Sequence, residues 1–453
     1  MNNPAIPLKP ASDHKQFRSA LILLLCAHIA TLCISMSHAI GAFPGIVAFA
    51  KSHLLAAALN VATFALAAAL FVFGRFSFGY FAGFYLYTMV LGYLWLSEFS
   101  LLSYDHNLAR ISIFLSALAF LVPAVLVTSP IKQRFALSAN AIDKLSSAIL
   151  ILAVAVVSAG ALSNFKLVGL SEIYKYRAGL ELPALLRYAI GIVSNALLPF
   201  AFAYFVMREH FWRAGLVLLL LLLLYPVTLT KLTLFAPLWL LFLALLSRFA
   251  ETRAAVILSL LLPMLAGVVV FFLIRIGMVS NELARLYVGV VNVRMIAMPS
   301  IAIEVYNNYF SSHALTHFCQ INILKLFVSC PYDEPLSVVM SKAYQLGAFN
   351  ASLFATEGIA SVNLMLAPLS ALLCGLVIAF ANRLSSTLPP QFVLISAAML
   401  PQTLLNVPLS TTLLTHGAAL LFLLWYITPR SAFAEPRPET LVTGGHPTDA
   451  DSA

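Results

Sequence analysis

Apolar runs of membrane-spanning length recur along this chain from residue 19 to residue 428, and they constrain its fold more than any other feature. A run of about 20 apolar residues matches the roughly 30 Å hydrocarbon layer of a bilayer. No water is present in that layer to meet backbone N–H and C=O groups, so each run must satisfy its own by forming a helix. A soluble core has no use for so many such runs, and an outer-membrane barrel would alternate rather than run continuously apolar. With 62% of residues hydrophobic and only 9% charged, the expected fold is an all-α polytopic integral membrane protein.

Hydropathy predicts about twelve spans, near 19–40, 54–74, 77–97, 110–128, 146–164, 184–206, 212–227, 231–247, 254–274, 358–381, 392–407 and 409–428. Residues 1–18 and 429–453 are polar and Pro-containing, and the expectation for both is a disordered tail flanking a transmembrane domain over 19–428. Ser37-His38-Ala39 resembles a signal peptidase site, but the many spans that follow make the first run an anchor. The formal charge of +9 includes no basic block long enough to track a phosphate backbone, so nucleic acid is not an expected partner.

Placing the N-terminus inside puts Arg75, Lys132, Arg134, Lys144, Arg208, Arg213, Arg248, Arg253, Arg383 and Arg430 on the inner face, as the positive-inside rule asks. Both termini are then cytoplasmic. One large outer loop, 275–357, separates spans nine and ten. The outer face still carries many cations, which oppose the topology signal and need another reason to be there. That reason is substrate binding or snorkelling at helix ends.

The stretch 172–191, EIYKYRAGLELPALLRYAIG, gathers Glu172, Lys175, Arg177, Glu181 and Arg187 at the outer rim. Pro183 is placed to open a helix, which puts Arg187 one turn inside it. Gly191, Ser194, Asn195 and Pro199 follow on one helical face, suited to a substrate groove or to close helix packing. In YPVTLTKLT, Pro226 interrupts an apolar run and Lys231 stands with Thr228, Thr230 and Thr233 at the mouth of the next helix. A point charge, a helix dipole and three hydroxyls together suit a phosphate there; a snorkelling Lys is the plainer alternative.

The outer stretch opens with RIGMVSNELARLYVGVVNVRM, read as an amphipathic helix along the membrane surface, with Glu282 and Arg285 spaced for a local ion pair. His313 and His317 have i,i+4 spacing, but Glu304 is distant and no HExxH pattern is present, so no metal is expected. His317 is a candidate general base, against the plainer reading of a packing histidine. Cys319 and Cys330 could close an eleven-residue loop in an oxidising compartment, although spacing alone does not bring sulfurs together. Asn350, Glu357 and Gly358 stand at the entrance of span ten. Glu357 there would pair with a cation or act as a base, and capping or dipole compensation are the plainer roles.

Two of these stretches resemble motifs of the bacterial O-antigen polymerase and ligase superfamily: Thr228-Leu229-Thr230-Lys231-Leu232-Thr233 at a mid-chain helix, and Asn350 through Glu357-Gly358 at the exit of the large loop. The resemblance spans about 165–385. Ligase-type members commonly carry a His before that Asn, where this chain has Phe349, and Asn363 interrupts the small residues expected past Gly358. The resemblance therefore implies a repeat-unit polymerase in the inner membrane. Its substrate would be an undecaprenyl-diphosphate-linked oligosaccharide, without cofactor or metal, and a chain-length regulator and a flippase would be its partners. Lys175, Arg177, Arg187, Lys231, Arg285 and Asn350 would bind substrate, and His317 or Glu357 would orient the acceptor hydroxyl. Cations offsetting charge on the leaving diphosphate supply the main electrostatic term of such a transfer. A ligase, a lipid-glycan flippase and a secondary transporter are the competing expectations.

Overall fold

The computed structural model describes residues 11–169, 173, 176, 182–321, 324, 327–347 and 350–433. The described chain is helical, and the sole strand-like feature among these residues is an isolated bridge between Val47 and Ser100. Among the described residues ten helices are long and apolar enough to cross a membrane, so the chain is a multi-pass membrane protein.

The elements are α1 (Ala11–Ala39), α2 (Lys51–Phe73), α3 (Phe78–Leu96), α4 (His106–Leu126), α5 (Ala139–Ser163), α6 (Ala184–Met207), α7 (Phe211–Thr228), α8 (Lys231–Phe249), α9 (Thr252–Arg275) and α10 (Glu282–Phe310). Beyond them lie α11 (Leu336–Tyr344), α12 (Ala360–Ser385), α13 (Pro390–Ser396), α14 (Leu400–Leu404), α15 (Leu409–Leu414) and α16 (Ala418–Ile427). Several starts are set by polar N-caps whose side chains accept from orphan backbone N–H groups: Ser77 from Tyr80, Asp105 from Leu108, Ser138 from Ala141 and Thr230 from Thr233. The aromatic α3 is the centre of the bundle, with every one of its residues buried.

Loop-to-loop contacts assign the two faces. The Arg253 guanidinium lies 4.8 Å over the Phe17 ring and donates to the Gly74 carbonyl at 3.3 Å. Ile131 N–H donates to Arg383 O at 3.2 Å, Leu137 N–H to Ile427 O at 2.9 Å, and the Gln391 amide to Ser247 O at 2.8 Å. One face therefore carries both ends of the described chain and the loops rich in Arg and Lys. The opposite face holds 40–53, 97–105, the segment after α5, the α7–α8 corner and 276–353. Among the described residues the membrane-length helices number ten, against about twelve spans expected from hydropathy; α3 and the short helices α13 to α16 are not among the ten.

Three expectations need correction. Residues 11–18 belong to α1 rather than to a disordered tail, and at the other end Ala432 is buried while the Phe433 ring packs 4.7 Å from Phe392. The segment 275–357 is not a surface loop throughout, because α10 is drawn into the bundle. Asn292 donates to the Ser35 hydroxyl at 2.9 Å and to Met264 O at 3.0 Å, and Ser300 donates to Met89 O at 2.9 Å. Asn308 then donates to Ser103 O at 3.1 Å, which fixes the end of α10 at the loop before α4.

The third correction concerns span ten. Asn363 (φ 68°, ψ 177°) breaks the helix, and its side chain accepts from Met365 and Leu366 N–H at 2.9 and 3.3 Å, capping the helix that follows. Residues before Asn363 fold back along those after it: Ser370 Oγ donates to Glu357 O at 2.6 Å, and Phe354 meets Phe120, 5.8 Å between centroids. The Ser112 hydroxyl donates to Leu364 O, placing the reversal at the opposite face near the start of α4. Residues 354–362 are thus a re-entrant arm rather than the top of a continuous span. Glu357 lies beside Ser370 and Cys374, on the order of 10 Å below the reversal at about 1.5 Å per helical residue.

Candidate functional site on the face opposite the termini

The α7–α8 corner is built from sequence in the way its Pro predicts. Pro226 ends the apolar run, Leu229 takes a left-handed conformation (φ 49°), and Thr230 caps α8 immediately ahead of Lys231. The segment leaving α5 is strapped across this corner. Lys166 N–H donates to Pro226 O at 3.0 Å, the Asn164 amide donates to Val227 O at 3.0 Å, and the Tyr225 hydroxyl donates to Val168 O at 2.5 Å. Ile173, Tyr225 and Leu229 pack together beneath it, and the Lys166 ammonium lies 5.7 Å from the Tyr176 ring. Lys166 and half-buried Lys231 are thereby held on one local unit.

The three threonines are not free donors. Their hydroxyls bond one another, Thr228 to Thr233 at 2.9 Å and Thr230 to Thr233 at 2.8 Å, while Thr228 also donates to Leu224 O at 2.9 Å. They fix the corner's shape instead of presenting a ready cradle for phosphate.

Of the other expected cations, Lys175 and Arg177 lie outside the described residues, together with Glu172 and Glu181. Arg187 is exposed on the first turn of α6, which starts at Pro183 as expected. The face below it is packing rather than groove: a Cβ on Gly191 would lie 2.6 Å from the Thr415 carbonyl oxygen, and Ser194 and Asn195 bond back to the α6 backbone. Arg285 is exposed on α10, whose Tyr287 hydroxyl reaches Pro263 O at 3.0 Å.

His313 and His317 do not share a helical face, because the helix ends at Phe310. The His313 ring stacks on Tyr309 at 3.8 Å and bonds its carbonyl. His317 is exposed, and it and Phe318 both take left-handed backbone (φ 47° and 63°) leading into Cys319. Cys319 is disulfide-bonded to Cys330, with Cα atoms 5.2 Å apart. The Tyr332 hydroxyl donates to Ala314 O at 2.7 Å, and burial, helped by the neighbouring Tyr309, pushes its phenol up to about 12, so it stays a neutral donor. No group of three His, Cys, Asp or Glu side chains suited to a metal ion occurs among the described residues.

Asn350 is exposed where the chain turns inward, and Glu357 is buried. Both carboxylate oxygens of Glu357 cap α15, accepting from Leu409 N–H at 2.9 Å and Ser410 N–H at 2.8 Å. Glu357 is thus a cap of α15 rather than of its own helix. The interruptions in α13–α16 are satisfied similarly, with the Trp239 indole N–H donating to Ala398 O at 3.0 Å.

Sequence reasoning set Glu304 aside, yet it is the most conspicuous carboxylate in the bundle. It is fully buried on α10 and faces Ser100, Tyr104, His106 and Arg110. The Ser100 and Tyr104 hydroxyls point toward it without closing a hydrogen bond of good geometry to either oxygen. Beside it, Asn307 donates to the Tyr93 hydroxyl at 3.1 Å, and Arg110 bridges Glu98 at 2.7 Å while donating to Ser97 through Nε and Nη2, both at 3.0 Å. An acid set among the apolar residues of 296–306, next to Asn307 and Asn308, was the available signal.

No known protein family, characterised relative or solved structure matches this chain.

Proposed function

We propose that this membrane protein polymerises lipid-diphosphate-linked oligosaccharide repeat units on the face opposite its termini. The observation that carries the reading is the strap across the α7–α8 corner. It holds Lys166 beside the helix start at Lys231, and Lys175 and Arg177 flank the anchored Tyr176 in sequence. Lys166 and Lys231, with the dipole of α8, suit the charge that develops on a departing diphosphate. The Arg and Lys in the short loops of the termini face and a disulfide on the other support an inner-membrane setting with the strap facing an oxidising compartment. His317, exposed on that face, is the remaining candidate to orient the acceptor hydroxyl.

A second reading, secondary transport, is favoured by one observation: the interrupted helices α13 to α16 meet the re-entrant arm inside the membrane, an arrangement that transporters use around midplane sites. Surface glycan resolved by length on gels, in cells lacking the gene and in cells carrying Lys231→Ala, separates the two. Single repeat units without long chains are the expected result. Unchanged glycan would overturn the polymerase reading, and loss of all exported glycan would move the assignment to transport.

A further inference from the structure

The termini face carries a second basic site, unrelated to the strap. A concave opening of about 380 Å³ lies between the start of α5 and the α6–α7 turn, lined by Asn140, Asp143, Tyr204, Arg208, His210 and Arg213. Arg213 contacts Asp143 at 3.3 Å and lies 5.7 Å over the Phe205 ring. Arg208 makes one long bond, 3.4 Å to the Ala432 carbonyl, which leaves most of its guanidinium donors without a protein acceptor among the described residues. One carboxylate therefore faces two guanidiniums and an imidazole, with exposed Lys144 next in sequence to Asp143; Glu209 of the same turn is not part of the lining. The site has a surplus of positive charge and of planar N–H donors, which suits a phosphate.

Its position says how that phosphate arrives. Immediately after His210, Phe211 and Trp212 open α7 with 61% and 72% of their surfaces exposed. Aromatic side chains exposed at a helix end mark the headgroup level of a bilayer. The opening thus sits where lipid phosphates are, with apolar surface alongside for acyl chains. We propose that Arg208, His210 and Arg213 bind the headgroup of an anionic phospholipid. A zwitterionic headgroup adds a cation to a site already positive, and free phosphate gains nothing from Phe211 and Trp212. Basic pockets between transmembrane helices on this side of a membrane suit such lipids.

The test uses the purified full chain in detergent, with its thermal midpoint followed against short-chain phosphatidylglycerol, phosphatidylcholine of the same chain length, and inorganic phosphate. Saturable stabilisation by phosphatidylglycerol alone is expected. Arg208→Gln should weaken it about tenfold, the size of one lost charge-assisted contact. Because the bond to Ala432 is the only one the Arg208 side chain makes among the described residues, this variant should keep the unliganded midpoint; Arg213→Gln, which loses the Asp143 contact, is measured in parallel. Equal stabilisation by phosphatidylcholine, equal binding of inorganic phosphate, or unchanged phosphatidylglycerol affinity in both variants would each overturn the assignment.

Discussion

The Glu357 carboxylate accepts from the Ser410 backbone N–H at 2.8 Å, joining the re-entrant arm to the first turn of α15, fifty-three residues further along the chain. Its other oxygen takes Leu409 N–H at 2.9 Å. Inside a membrane those two N–H groups have no water to turn to, so the carboxylate replaces the hydrogen bonds that an uninterrupted helix would have supplied.

Glu357→Ala should therefore destabilise the fold by about 2 to 4 kcal/mol, the penalty for leaving two buried donors unmet. Glu357→Gln should also lower the thermal midpoint, since its amide turns a donor toward one of the two N–H groups. A Gln variant with an unchanged midpoint and no glycan polymerisation would restore the catalytic role expected from sequence.

Arg110 and Glu304 should respond in opposite directions. Arg110→Ala strands Glu98, whose side chain is 12% exposed, and should cost about 3 kcal/mol. Glu304 lacks a well-formed partner, so Glu304→Met, which keeps the volume and removes the unpartnered buried carboxyl group, should leave the protein equally or more stable. Thermal unfolding of both variants in one detergent checks the pair. A large loss in Glu304→Met would mean that the carboxylate is held by an interaction beyond those seen.

A Cβ on Gly267 would sit 1.7 Å from Asn292 Oδ1, the closest such approach in the bundle. Gly267→Ala should push α9 away from α10 and lower stability. Adding Asn292→Ala should recover part of the loss, with a favourable coupling of at least about 1 kcal/mol in the double-mutant cycle. Strict additivity would mean that the clash is relieved elsewhere.

The Cys319–Cys330 disulfide closes a short loop next to His317. Replacing both cysteines by Ser should reduce stability by roughly 2–3 kcal/mol if loop closure in the unfolded chain is the dominant effect. A thiol reagent applied to the unfolded, unreduced protein should label Cys26, Cys33 and Cys374 only. Labelling of five thiols without reductant would show that the bond does not form in the cell.

If the strapped corner holds a diphosphate, Lys231→Ala should lower polymerisation about 100-fold, in the range for removing one electrostatic stabiliser of a leaving group. Lys231→Arg, which retains the charge, should recover much of that loss. Equal rates in wild type and Lys231→Ala would detach the corner from the chemistry.

The sequence by itself determined the class of fold and most of the crossings, because backbone satisfaction in an apolar layer is a local requirement that each run meets alone. It also marked the breaks: Pro183 precedes α6 as expected and Pro226 lies in the last turn of α7, and the Arg- and Lys-bearing loops meet on the termini face. Tertiary structure decided the rest. The stretch 275–295 reads as a surface helix until Asn292 finds Ser35 and Ser300, further along the same helix, finds Met89. Glu357 reads as a helix-entrance acid until Asn363 reverses the chain and α15 presents its N–H groups. Those outcomes depend on partners tens to hundreds of residues away, and the local pattern at each position is as consistent with one arrangement as with the other.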